Sequence, residues 1–180
     1  MVSILIIHCN ICIFWYKGCG SSSKNVEKKI NIAVLQDEIP NDQGVRYVLY
    51  ICSEGHLTGG IGHLITEWDK DYYGKPVGTK IPHEQVNEWF ERDIEVSIKD
   101  CKDIFNNFDN LPEDIQHVLI NMSFQLGKPR LSKFKKMIAA VHEEDYFEMS
   151  NQMEDSLWFK QTQNRAQRLI DRVIRYGVPI

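Results

Sequence analysis

The stretch from Asp42 to His63 constrains the fold of this chain more than any other. It opens Asp42-Gln43-Gly44-Val45-Arg46 and continues Tyr50-Ile51-Cys52-Ser53-Glu54-Gly55-His56-Leu57-Thr58-Gly59-Gly60-Ile61-Gly62-His63. Residues 45–51 are rich in β-branched and aromatic side chains and read as a strand. Glu54-Gly55 supplies a turn, and residues 56–61 read as the returning strand. Gly59, Gly60 and Gly62 point to close backbone approach or positive dihedral angles.

The flanking segments read as helices. Residues 26–39 place Val26, Ile30 and Ala33/Val34 on one face. Pro40 is expected to end that helix, because proline disfavours helical geometry in the residue before it. Residues 68–79 read as a polar loop. Pro82 suits the first turn of a long helix to about Phe105, buried through Val86, Trp89/Phe90, Ile94 and Ile98. The next helix starts at Asn110-Leu111-Pro112-Glu113, carries Ile115, Val118/Leu119 and Met122 inward, and stops at Gly127. Ser132 is expected to cap a helix through Val141. A short helix follows over 145–153, and one or two more close the chain over 158–175, with Leu169, Val173 and Ile174 inward. The expected fold class is α+β, mainly α: a small β-hairpin lobe and a helical C-terminal lobe.

Residues 1–25 read as a separate piece, an apolar arm or signal-like segment plus a small-residue linker, and 26–180 as one domain. The run Ile4-Leu5-Ile6-Ile7 to Phe14-Trp15-Tyr16 is short for a membrane span. It lacks the early basic residues of a secretion signal. A cleaved signal, an arm packed on a partner and a doubtful start site all remain open. The formal net charge of −4 gives no electrostatic case for nucleic acid and no attraction to an anionic cell wall. Five cysteines, in no zinc-like spacing, fit a reduced compartment. The six histidines are scattered, and no cofactor or metal is expected.

Three motifs then carry a resemblance that covers about residues 35–176. The first is Asp42-Gln43-Gly44 through Gly62-His63-Leu64. The second is Ile120-Asn121-Met122-Ser123-Phe124-Gln125-Leu126-Gly127. The third is Ser156-Leu157-Trp158-Phe159-Lys160-Gln161-Thr162-Gln163-Asn164-Arg165-Ala166. In this order and spacing they resemble the phage-type lysozymes, glycoside hydrolase family 24, and most closely the endolysins of T-even phages. The resemblance implies a lysozyme-like fold and cleavage between the aminosugars of peptidoglycan.

By the same resemblance, the general-acid glutamate falls on Gln43, the water-activating aspartate on Cys52 and the water-positioning threonine on Thr58. Only the threonine is retained. A leaving oxygen needs a proton and the attacking water needs a base. A glutamine amide has no proton to give at neutral pH. Cys52 has no lysine or imidazolium neighbour implied, and Glu54 beside it is expected to raise its pKa and to be solvated. The resemblance pairs Arg165 with the acid position, here Gln43, and Arg168 with Asp42. It places Phe124, Gln125, Trp158 and Gln161 along the lower cleft and makes His63 an ion-pair member beside it. The 63–78 segment is shorter than its counterpart in the T-even enzymes, so a narrower upper cleft is expected.

These residues lead to two expectations. The first is a catalytically inactive lysozyme-fold protein that acts as a binding or structural component of a larger assembly. Its partners would be other proteins, or a glycan in the vestigial cleft. An intracellular place, cytoskeletal or axonemal, is slightly favoured over secretion. The second is a muramidase that hydrolyses peptidoglycan in bacterial defence or digestion with rearranged carboxylates.

Overall fold

A computed structural model describes residues 30–177. The apolar segment of 1–25, with Cys9, Cys12 and Cys19, lies outside the described residues, as does the start of the helix expected from residue 26.

Helix α1 (Ile32–Gln43) is capped by Asn31, whose side chain accepts from the Ala33 N–H at 3.2 Å. It runs straight through Pro40, contrary to the sequence expectation. Proline removes one backbone donor, and the helix absorbs that loss near its C-terminal end. The Asn41 side chain donates to the Asp37 carbonyl at 2.7 Å in the same turn, and the Gly44 N–H closes the helix on the Pro40 carbonyl at 2.9 Å. The buried residues are Leu35 and Ile39, while Ala33 is exposed, so the buried stripe is rotated from the one expected.

The hairpin forms as expected and gains a third strand. β1 (Arg46–Ile51) pairs antiparallel with β2 (Leu57–Gly60), which pairs with β3 (His63–Leu64). The register sets Tyr50 opposite Thr58 and Gly59 opposite His63. Gly59 marks a close approach. A Cβ there would lie 2.7 Å from the tip of the Ile81 side chain and 3.1 Å from Trp89, so a methyl group would press on Ile81 and on the helix behind the sheet.

That helix is α2 (His83–Ile104), amphipathic as its sequence predicts, with Val86, Trp89, Phe90 and Ile94 buried. It links the hairpin to the helical lobe. There, α3 (Glu113–Leu131) carries Ile115, Val118, Leu119, Ile120 and Met122 fully buried. Its regular part ends at Gly127, where φ 68 and ψ 160 break the helical path before a last turn. Next comes α4 (Lys135–His142). Ser132 does not cap it: the hydroxyl instead donates back to the Lys128 carbonyl at 2.8 Å, within the preceding turn.

The chain closes with α5 (Tyr146–Glu154), α6 (Leu157–Gln161) and α7 (Gln163–Gly177). Asp145 caps α5 and Ser156 caps α6 through side-chain acceptance. Leu169 and Val173 are buried on α7, but Ile174 is 38% exposed and belongs to the outer face. The result is a mainly α fold of the lysozyme-like α+β type, with one apolar core running from Leu49 in the hairpin to Val173 in α7.

Candidate functional site

Adjacent residues at the end of α1 face different surroundings. The Asp42 side chain is buried and ionically paired twice, to Arg168 and, at 3.4 Å, to the Arg165 Nε. Asn121 on α3 completes the group: its side-chain amide donates to Asp42 at 3.3 Å, and its oxygen accepts from the Arg165 Nε at 2.8 Å. The Arg165 Nη2 also donates to the Asn121 carbonyl at 3.0 Å. Arg165 is therefore bound to Asn121 and Asp42 rather than to Gln43, which corrects the pairing expected from the sequence. A buried guanidinium gains more from an ionised carboxylate than from an amide dipole. Burial still pulls Arg165 down to about 10, with Asp42 acting against that pull.

One turn earlier the same three helices meet again. Glu38 on α1 accepts from Arg172 on α7 at 2.6 and 3.2 Å, and Arg172 also reaches Asp114 on α3 at 3.3 Å. His117, one turn before Asn121, is buried there beside Glu113, and its Nε2 has no hydrogen-bond partner. Burial depresses the His117 pKa, and Arg172 adds to this.

Gln43 faces a groove. Two stretches of it adjoin through Gln161. One, of about 540 Å³, is lined by Gln43, Gln125, Gln161, Arg165 and the start of α7. The other, of about 690 Å³, runs past Trp158, Leu126 and Leu157 to Arg130 and the α4 lysines. The Trp158 indole N–H donates to the Gln125 oxygen at 2.8 Å, which orients that amide. Of the residues expected along the cleft, Gln125, Trp158, Gln161 and Arg165 line it. Phe124 does not; it is half-buried and packs edge-on against Phe90.

Cys52 and Thr58 sit together in the hairpin and are absent from the lining of both stretches. No hydrogen bond joins either to Gln43 among the described residues. Thr58 is buried, and its hydroxyl donates to the His56 carbonyl at 3.0 Å. The Cys52 thiol is held below its ordinary pKa. The largest cause is hydrogen bonding from the backbone at His56, followed, among the lowering influences, by the backbone at Glu54. The Glu54 charge pushes the other way and loses, which reverses the direction expected from the sequence.

Glu54 is also not simply solvated. Arg130 clamps it with both terminal nitrogens, at 2.5 and 2.6 Å, and the Glu54 carboxyl is lowered accordingly. This pair joins the hairpin tip to the far wall of the groove. The other free thiol among the described residues, Cys101, is buried and pushed up to about 12.

His63 lies behind the sheet, away from the groove lining. Its Nδ1 meets Asp93 at 2.8 Å, and its Nε2 faces Asp69 at 3.3 Å and Arg92 at 3.1 Å. The ring stacks on Trp89. Sequence reasoning named His63 but not its partners, and it passed over Asn121 and Arg130. Asn121 stood within a quoted motif. Arg130 carried no signal, because its partner lies 76 residues away. Among the described residues no group of histidines, cysteines and carboxylates could hold a metal ion.

Comparison with known proteins gives the family. The sequence profile described as phage lysozyme matches residues 41–174. A probable T4-type lysozyme 2 of Dictyostelium discoideum is 31% identical over 157 residues, 77% of this chain and 92% of that protein. Probable T4-type lysozyme 1 of the same organism is 29% identical, over 81% of this chain and 96% of its own length. The pre-baseplate central spike protein Gp5 of Enterobacteria phage T4 is also 29% identical, over 81% of this chain but 29% of that much longer protein. This chain belongs to the phage lysozyme family.

Proposed function

We propose that this chain is a lysozyme-fold protein that has lost hydrolysis and works by binding, as a component of a larger protein assembly. One observation carries the reading. The groove position that would need a proton donor holds Gln43, and the carboxylates nearest to it in sequence are already engaged. Glu38 is held by Arg172, Asp42 by Arg168 and Arg165, and Glu54 by Arg130. Asp37 is exposed on α1 and lines neither stretch of the groove.

Loss of a general acid alone costs roughly 10²- to 10⁴-fold in rate. An ion-paired carboxylate is a poor replacement. It is stabilised as the anion, whereas a general acid must hold its proton until the transition state. Amides predominate in the lining of the inner groove, Gln43, Gln125 and Gln161 among them, and they suit hydrogen bonding rather than proton transfer.

A second reading is a muramidase acting on peptidoglycan, and one observation favours it. The Cys52 thiol has a lowered pKa beside Thr58, which favours a thiolate able to act as base or nucleophile. That group would still lack a partner to protonate the leaving oxygen.

The test compares peptidoglycan hydrolysis by the unmodified chain with that by a Gln43→Glu, Cys52→Asp double variant. We expect no turnover by the unmodified chain and a gain of at least about 10²-fold in the variant. Robust hydrolysis by the unmodified chain would sink the proposal.

A further inference from the structure

We infer that the outer stretch of the groove is a docking site for an acidic peptide segment of a partner protein that also carries a leucine-like side chain. The inference rests on reading the cleft as a binding site and names the partner's chemistry.

The wall of this stretch takes Arg130, Lys133, Phe134, Lys135 and Lys136 from the run 128–136, Lys-Pro-Arg-Leu-Ser-Lys-Phe-Lys-Lys, in a chain whose formal net charge is −4. Two of its cations are already used: Lys128 pairs with Asp103, and Arg130 with Glu54. Lys133, Lys135 and Lys136 are exposed, line the groove, and form no ion pair among the described residues. The first turn of α4 lies in the same wall, and its N-cap residue, Phe134, offers no side-chain acceptor. The Lys135 N–H is taken by the Lys133 carbonyl at 2.9 Å, but the positive end of the helix adds to the field of the lysines. The carboxylates in the lining are Glu54, neutralised by Arg130, and Asp155.

A solvated run of lysines would need no groove and no apolar contact. This one has both. Leu157 projects at the lip of the groove, 69% exposed, and half-buried Leu126 and Phe134 lie beside it. An unpartnered leucine next to three unpaired ammonium groups is complementary to a segment that alternates carboxylates with an aliphatic side chain. A neutral sugar would match the amide-lined inner stretch better, since it would leave the ammonium charges uncompensated.

The test uses the full chain and two fluorescein-labelled peptides, one of mixed glutamate and leucine and a control with glutamine in place of every glutamate. Fluorescence anisotropy should show the acidic peptide binding at least about tenfold more tightly than the control, and more weakly as salt rises. A Lys133→Glu, Lys136→Glu double variant should weaken it by about tenfold, and Leu157→Ala by roughly fivefold. If reversal threatens folding, a Lys133→Gln, Lys136→Gln variant with unchanged circular dichroism should still show a smaller loss. Equal binding of the two peptides, or binding indifferent to charge reversal, would overturn the inference. So would soluble peptidoglycan fragments that displace the peptide and lose affinity in the same variants, because the groove would then take glycan. Hydrolysis of those fragments would overturn the reading of lost catalysis instead, and it is scored separately from anisotropy.

Discussion

The seam between α1, α3 and α7 and the groove beside it begin at neighbouring residues, Asp42 and Gln43, yet they follow opposite rules. In the seam, charged and polar side chains recur every four residues. Glu38 and Asp42 lie one turn apart on α1, Arg168 and Arg172 one turn apart on α7, and His117 and Asn121 one turn apart on α3. One helical turn on each element keeps these side chains stacked in register. Each buried charge finds an opposite charge, so replacing one would strand the others. In the groove, the Gln43 side chain makes no hydrogen bond among the described residues, and a change there strands nothing.

The most severe test of this contrast is Asp42→Ala against Gln43→Ala. Removing the Asp42 carboxylate leaves Arg165 buried and unpaired, which costs about 3–5 kcal/mol. Truncating Gln43 should cost under about 1 kcal/mol. Urea denaturation of both variants checks this, and similar losses would erase the distinction between seam and groove.

A smaller effect concerns His117. Its folded pKa is depressed below the ordinary value near 6.5, so the fold favours the neutral ring. The stability this contributes is fully present above the unfolded pKa and is lost as pH falls toward the lower folded value. Glu113, Glu38 and Asp114 face the ring and soften the effect, while Arg172 strengthens it. Denaturation midpoints should therefore fall between pH 7.5 and 5.5, and His117→Gln should flatten that slope. A slope unchanged by the substitution would show that the seam does not sense this proton.

The least effect is expected for Glu54→Gln. The pair with Arg130 has good geometry, but both side chains are about half exposed and screened by water, so the urea midpoint should barely move. A clear fall in that midpoint would make the hairpin tip part of the rigid scaffold, like the seam, rather than part of the groove.

Much of the fold is legible in the sequence. The hairpin follows from a β-branched and aromatic run beside a turn, and α2 and the inward residues of α3 follow from apolar spacing repeated over several turns. The misreadings cluster where one residue was asked to decide. Pro40 did not end α1, since a lost donor near a helix end is a small penalty against the burial of Leu35 and Ile39. Ser132 did not cap α4, since its own preceding turn supplied a nearer acceptor. β3 is too short, at His63–Leu64, to leave a pattern.

The candidate site divides in the same way. The expectation that Gln43 and Cys52 fall where the family keeps its carboxylates came from the residues alone, and an amide cannot become an acid in any surroundings. The pairings were not visible. Arg165 turned from Gln43 to Asp42 and Asn121, Glu54 found Arg130, and the Cys52 thiol moved down rather than up. The physical reason is range. Local sequence sets helical faces, strand alternation and the chemistry each side chain can offer. Which charge meets which depends on three helices and a hairpin converging from distant parts of the chain, and only the tertiary structure decides that.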